Sequence, residues 1–74
     1  MKPRPVAICD DSIRLGQFLK LADLIDTGAD AKPLLASEEV RVNGAVETRR
    51  GRPLVVGDVV AVGGSHAVVE RIDP

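Results

Sequence analysis

Val40-Arg41-Val42-Asn43-Gly44-Ala45-Val46 is the stretch on which the fold turns. Apolar and other residues alternate on either side of an Asn-Gly pair. That pattern is the strongest short-range signal of a β-hairpin, because both central residues of a type I′ turn need positive φ and Asn and Gly tolerate it. Downstream come three more short apolar runs, Leu54-Val55-Val56, Val59-Val60-Ala61-Val62 and Ala67-Val68-Val69-Glu70-Arg71-Ile72. They are divided by turns at Gly57-Asp58 and Gly63-Gly64-Ser65-His66, and they read as strands.

Upstream of Val40 the period is helical. Leu15, Phe18, Leu19, Ala22 and Leu24 or Ile25 fall at offsets of three, four and seven, which predicts an amphipathic helix. Its end is expected near Asp26-Thr27-Gly28, with Gly28 in the left-handed conformation. Asp30 is a good N-cap for a second, short helix over Ala31, Leu34, Leu35 and Ala36. Pro33 then falls in the first turn, where its missing N–H costs little. Asp10-Asp11-Ser12 is turn chemistry and a candidate cap for the first helix. Pro3, Pro5 and Val6-Ala7-Ile8 predict an arm or a short edge strand, since proline is confined to strand starts and edges. The expected organisation is residues 1–12 as that arm or edge strand and residues 13–74 as a single domain. The order of helices followed by strands predicts an α+β fold, two short helices packed on a small, mainly antiparallel sheet.

Composition narrows the function. The 74 residues, 45% hydrophobic and 28% charged, suit one small globular unit and leave no room for a two-domain enzyme. The single cysteine, Cys9, excludes an intrachain disulfide, and with one histidine, His66, it cannot supply a four-ligand Cys/His zinc site. The longest apolar runs fall far short of the roughly twenty residues a membrane span needs. A soluble, cytoplasmic, monomeric protein is the expectation. Phe18, the sole aromatic residue, is expected in the core, Cys9 as a small buried hydrophobe, and His66 solvated in a turn. With one aromatic residue, stacking of single-stranded bases is disfavoured. No nucleophile–base pair, metal cluster or phosphate-cradling glycine loop stands out, so neither catalysis nor a cofactor or metal is expected.

Charge is unevenly placed. The chain has ten Lys+Arg and eleven Asp+Glu, a formal net charge of −1. Residues 1–39 carry −2, residues 40–52 carry +3 and residues 53–74 carry −2, counted from the same sequence. The positive segment holds Arg41, Arg49, Arg50 and Arg52 against Glu47. Arginine's planar guanidinium binds phosphate bidentately, so this segment is a candidate phosphate-binding patch. Taken alone, the cluster is better read as a solvated basic loop.

A wider constellation shifts that balance. Arg14-Leu15-Gly16-Gln17-Phe18-Leu19-Lys20-Leu21-Ala22 is followed by Gly28-Ala29-Asp30-Ala31-Lys32 and by Val40-Arg41-Val42-Asn43-Gly44. Glu47-Thr48-Arg49-Arg50-Gly51-Arg52 and Gly57-Asp58-Val59-Val60 complete it. In this order and spacing the segment from Arg14 to Val62 resembles the S-four-type RNA-binding domain, named after small-subunit ribosomal protein number four and also called the alpha-L motif. It is most similar to the family's small stand-alone bacterial members. The resemblance implies a basic face for structured RNA, ribosomal or transfer RNA, including ribosomal particles. Arg14, Lys20 and Lys32 would come from the helices, and Arg41, Arg49, Arg50 and Arg52 from the hairpin part. Asn43 and Gly44 would set the turn, with Asn43 also a candidate RNA contact. The chain departs from the family's pattern at Gly16, where an aspartate is usual, and at Pro33, where a helix former is usual. Asp26, Asp30, Glu38 and Glu39 also crowd Lys32.

Such a surface reads A-form RNA through shape, phosphates and 2′-hydroxyls, and needs no aromatics. With about five phosphates neutralised, log K would fall with log salt at a slope of roughly −4 to −5. No membrane and no small-molecule substrate is implied. Two other classes compete. A ubiquitin-like (β-grasp) sulfur carrier also has Val-Asn-Gly, Gly-Asp-x-Val and Gly-Gly segments, but its Gly-Gly pair is C-terminal, whereas Gly63-Gly64 is internal. A protein-interaction module would use a Val-rich edge, Val68 or Val69, to extend a partner's sheet.

Overall fold

A computed structural model describes residues 3–25 and 31–72. Its elements, in chain order, are strands β1 (Arg4–Ile8) and β2 (Ser12–Arg14), and helices α1 (Leu15–Leu21) and α2 (Ala31–Ala36). Strands β3 (Val40–Val42), β4 (Ala45–Val46), β5 (Pro53–Val55), β6 (Val59–Val62) and β7 (Ser65–Arg71) follow. Five strands form one sheet in the order β1-β7-β6-β3-β4, and β2 pairs with β5 in a separate antiparallel ribbon. All pairs are antiparallel except β1 with β7. This is the α+β arrangement the sequence predicts, two helices on a mixed, mainly antiparallel sheet.

The Asn43-Gly44 turn joins β3 to β4 as expected, with φ of 53° and 87° at its two central residues. Alternation then sorts the faces. Val40 and Val42 are buried while Arg41 is exposed. One core cluster combines Leu15, Phe18, Leu19 and Leu35 from the helices with Val6, Ile8, Val40, Val42, Leu54, Val60, Ala67 and Val69 from the strands. Phe18 is fully buried, as its spacing predicts.

Local expectations are corrected on four points, the third covering two residues. First, α1 stops at Leu21, seven residues and about two turns short of Gly28. Leu24 N–H donates to the Leu19 carbonyl and Asp23 N–H to the Lys20 carbonyl, while Asp23 adopts φ of 61°. This is the paired-bond helix ending usually built on glycine, here with aspartate in the left-handed position. Ala22 and Ile25 remain buried after the chain has left the helix, so their helical spacing persists without the helix. The Asp30 cap and Gly28 lie outside the described residues. Second, Asp10-Asp11-Ser12 does not cap α1. The N-cap residue is Arg14, with extended backbone and no side-chain cap, because Ser12–Arg14 is already committed to pairing with β5.

Third, Cys9 is exposed: Ile8 is the last inward-facing position of β1, and Cys9 begins the bend beyond it. His66, expected solvated in a turn, is a strand residue. It sits half-buried in β7 opposite Ala61, and its Nδ1 has no hydrogen-bond partner among the described residues. Fourth, Val68 and Val69 are not on an edge. β1 adds to the far side of β7 and places β7 between β1 and β6, with Val69 fully buried. The edge is β1 itself, where Pro5 is tolerated because an outer strand has one side that needs no donor. Gly63-Gly64 makes the β6–β7 turn.

Candidate nucleic-acid interface

The basic segment after β4 is organised by a carboxylate. Glu47 is buried, at 6% exposure. Its Oε2 accepts the backbone N–H groups of Thr48 (3.0 Å) and Arg49 (3.1 Å) and Nε of Arg49 (3.3 Å). Its Oε1 accepts Nη2 of Arg49 (3.3 Å) and Nη1 of Arg52 (3.0 Å). The Arg49 side chain and then the Arg49 amide hold the Glu47 carboxyl down to about 2 from an ordinary 4.5, against the opposing effect of burial and with a lesser contribution from Arg52. The same contact raises Arg49. Hydrogen bonds to the charged form of a carboxylate favour that form, which is the direction seen.

The folded loop then docks on the start of α1. Leu15 N–H donates to the Arg52 carbonyl (2.8 Å) and Gly16 N–H to the Arg50 carbonyl (2.9 Å). Helix starts leave their first N–H groups without intrahelical partners, and here loop carbonyls serve in place of a capping side chain. Arg14 Nη1 donates to the Gly51 carbonyl at 2.9 Å. The approach is close: a Cβ at residue 16 would lie 2.4 Å from Arg50 Cγ and 3.0 Å from its Cδ. Glycine at 16 therefore makes room for the Arg50 stem, which gives a structural reason for this departure from the family's aspartate.

Arg50 lies at the junction of two shallow recesses. One is lined by Arg14, Gly16, Gln17, Lys20, Arg50 and Gly51. The other is lined by Lys32, Leu35, Thr48 and Arg50. Among the described residues neither is lined by a carboxylate, and the two together, the groove, hold four cations, Arg14, Lys20, Lys32 and Arg50, with Arg50 common to both. Arg50 and Lys20 make no ion pair among the described residues.

The other predicted contacts are placed differently. Arg49 and Arg52 face the groove's own scaffold through Glu47, though the Arg49 side chain is 76% exposed. Arg41 pairs across the sheet with Val46 and Ala61, on the face turned away from the core and the helices. Asn43 is spent on the fold. Its Nδ2 donates to Asp58 Oδ1 (3.0 Å), its Oδ1 accepts from Val59 N–H (2.9 Å), and Asp58 Oδ2 accepts from Val55 N–H (3.0 Å). The eight residues therefore do not form one face. Four gather at the groove, two brace the loop, Arg41 lies behind the sheet and Asn43 ties one turn to another.

Glu47, Gln17 and Thr48 stand in the family constellation, and Gly16 marks a departure from it, but none of the four is a site residue on the sequence reading. Glu47 counts there as one negative charge within a positive segment and as part of the constellation, with no role of its own. Its spacing two and five residues before Arg49 and Arg52 was the available signal, but a loop conformation is needed to make that spacing a contact.

Comparison with known proteins agrees with this architecture. A family model described as the S4 domain matches residues 6–70. The probable ribosome maturation protein RlbA of Bacillus subtilis is 53% identical over 60 residues, covering 81% of this chain and 84% of that protein. The putative RNA-binding protein YbcJ of Escherichia coli is 41% identical over 56 residues, covering 76% of this chain and 79% of that one. Among solved structures, 30S ribosomal protein S4e from Thermoplasma acidophilum superposes with a TM-score of 0.58 at 24% identity. The match covers 77% of this chain but 30% of that larger one, and at this identity it speaks for the fold alone.

Proposed function

The chain belongs to the S4 domain family, and from that premise we propose that it is an RNA-binding module that recognises structured RNA, ribosomal or transfer, by phosphate contacts and shape and without catalysis. One observation carries the reading: Arg14, Lys20, Arg50 and Lys32 line two adjoining recesses that, among the described residues, no carboxylate lines. Guanidinium groups offer forked donors to phosphate oxygens and lysines supply mobile point charges, so the set suits a bent or helical phosphate backbone. The names carried by the relatives, ribosome maturation and RNA binding, support a ribosomal target in particular.

The overall charge of −1 does not oppose this function. Steering depends on the local field, and acidic surface elsewhere orients the approach. Binding to ribosomal RNA fragments, transfer RNA and an unstructured oligonucleotide, titrated across salt, tests the proposal. Structured RNAs should bind more tightly than the unstructured strand. With about four phosphates neutralised, log K should fall with log salt at a slope of about −3 to −4. A flat salt dependence, or equal affinity for the unstructured strand, would count against the reading.

A further inference from the structure

We propose that Glu47, the acidic residue inside the basic segment, is a positioning residue for RNA binding, because its carboxylate holds the loop in the form that delivers Arg50 to the groove. The inference rests on the RNA-binding reading above and adds an unexpected sign to it. Charge alone makes Glu47 a liability, a negative group close to phosphate ligands. By that logic, neutralising it strengthens binding. The geometry argues the opposite.

Five donors converge on this one carboxylate: two backbone N–H groups, two nitrogens of Arg49 and one of Arg52. The residues it holds lie on both sides of Arg50. Arg52 N–H closes the loop onto the Arg49 carbonyl at 3.3 Å. The carbonyls of Arg50, Gly51 and Arg52 are taken in turn by Gly16 N–H, the Arg14 guanidinium and Leu15 N–H. With its neighbours anchored and its carbonyl bonded, Arg50 sends its stem across Gly16 toward Arg14 and Lys20. The orientation of the groove's central cation is thus inherited from a residue that does not line the groove.

Glutamine at position 47 is a sharp probe because it preserves size. All five partners are donors, and a carboxylate offers acceptors on both oxygens. An amide offers one acceptor and turns an NH2 group on donors that need an acceptor. The loop loses its anchor on one side while the protein gains one unit of positive charge.

The experiment measures binding of the whole chain to a structured ribosomal RNA fragment by fluorescence anisotropy at several salt concentrations, with thermal unfolding recorded for every variant. Glu47→Gln should weaken binding about tenfold, the effect of losing one charge-assisted contact. It should also make the salt slope shallower by about 1. In an Arg50→Ala background the same substitution should cost less than twofold, because the side chain it positions is gone. Unchanged or tighter binding by folded Glu47→Gln overturns the proposal. So does a loss that is undiminished without Arg50. If Glu47→Gln does not fold at the assay temperature, Glu47→Asp replaces it. Its shorter reach cannot satisfy all five donors, and folded Glu47→Asp with wild-type affinity overturns the proposal equally. Failure of the wild-type chain to bind any structured RNA is a separate outcome, which removes the RNA-binding reading before any variant is made.

Discussion

The Asn43-Gly44 turn and the Arg49–Arg52 loop are both tight connections on either side of β4, and each is organised by one polar side chain. In the turn, the Asn43 amide bonds Asp58 and the Val59 backbone, and Asp58 in turn bonds Val55. Nearly all of that network's polar capacity points back into the fold. In the loop, Glu47 takes up the Arg49 and Arg52 guanidinium groups and leaves Arg50 to the groove. The turn shows how a polar side chain is consumed by structure. The loop shows how one charge, by consuming two others, presents a third.

The contrast breaks most sharply at Asn43. Asn43→Ala removes two side-chain bonds and places a Cβ-bearing residue without Asn's tolerance at positive φ. Chemical denaturation should report a loss of about 2 kcal/mol in stability, while the RNA affinity of the folded fraction stays within twofold. Arg50→Ala should do the reverse. Its affinity for structured RNA should fall about tenfold, and stability should change by no more than about 0.5 kcal/mol. Arg41→Ala, on the face away from the helices, sharpens the point if its affinity stays within twofold of wild type under the same conditions.

Acid separates the two connections by another route. The Glu47 carboxyl lies at about 2 in the folded protein, below its ordinary 4.5. A lowered folded value means stability that is present above the unfolded value and is lost as pH falls from there through the folded value. Between about pH 4.5 and 2 the wild type should therefore lose stability more steeply than Glu47→Gln, as read by thermal unfolding at each pH. The smallest expected effect is at Asp11, whose exposed pairing with Arg71 at 2.6 Å holds neither connection. Asp11→Asn should shift stability by less than about 0.5 kcal/mol.

What could be read from the sequence follows from how local each signal is. Asn43-Gly44 specifies its turn through its own backbone preferences, and Phe18 sits in the core because the spacing around it is helical. The switch from helical period to short alternating runs gives the α+β order without further help. The end of α1 was misplaced because Gly28 is the more usual terminator. Asp23 takes that role instead, and a preference scale assigns it no such role. Val68 and Val69 looked like edge residues because the pairing that covers them comes from Arg4–Ile8, more than sixty positions away. For the site, the residue types were legible, but their partition was not. Whether an arginine meets phosphate or Glu47 depends on a loop whose carbonyls are fixed by the first residues of a distant helix.

The parallel pairing of β1 with β7 also has a consequence in time. Residues 4–8 are made well before their partners, 67–71. At translation rates of about 5–20 residues per second, the first strand waits on the order of several seconds for its neighbour. Loop closure over that separation must be completed before the pairing can contribute, whereas the ribbon and hairpin contacts lie closer in sequence. Throughout that interval Val6 and Ile8 are apolar segments without a sheet. Pro5, between Arg4 and Val6, withholds a donor from any wrong strand that reaches them first, so the residue that marks this strand as an edge in the finished molecule also guards it while the chain is incomplete.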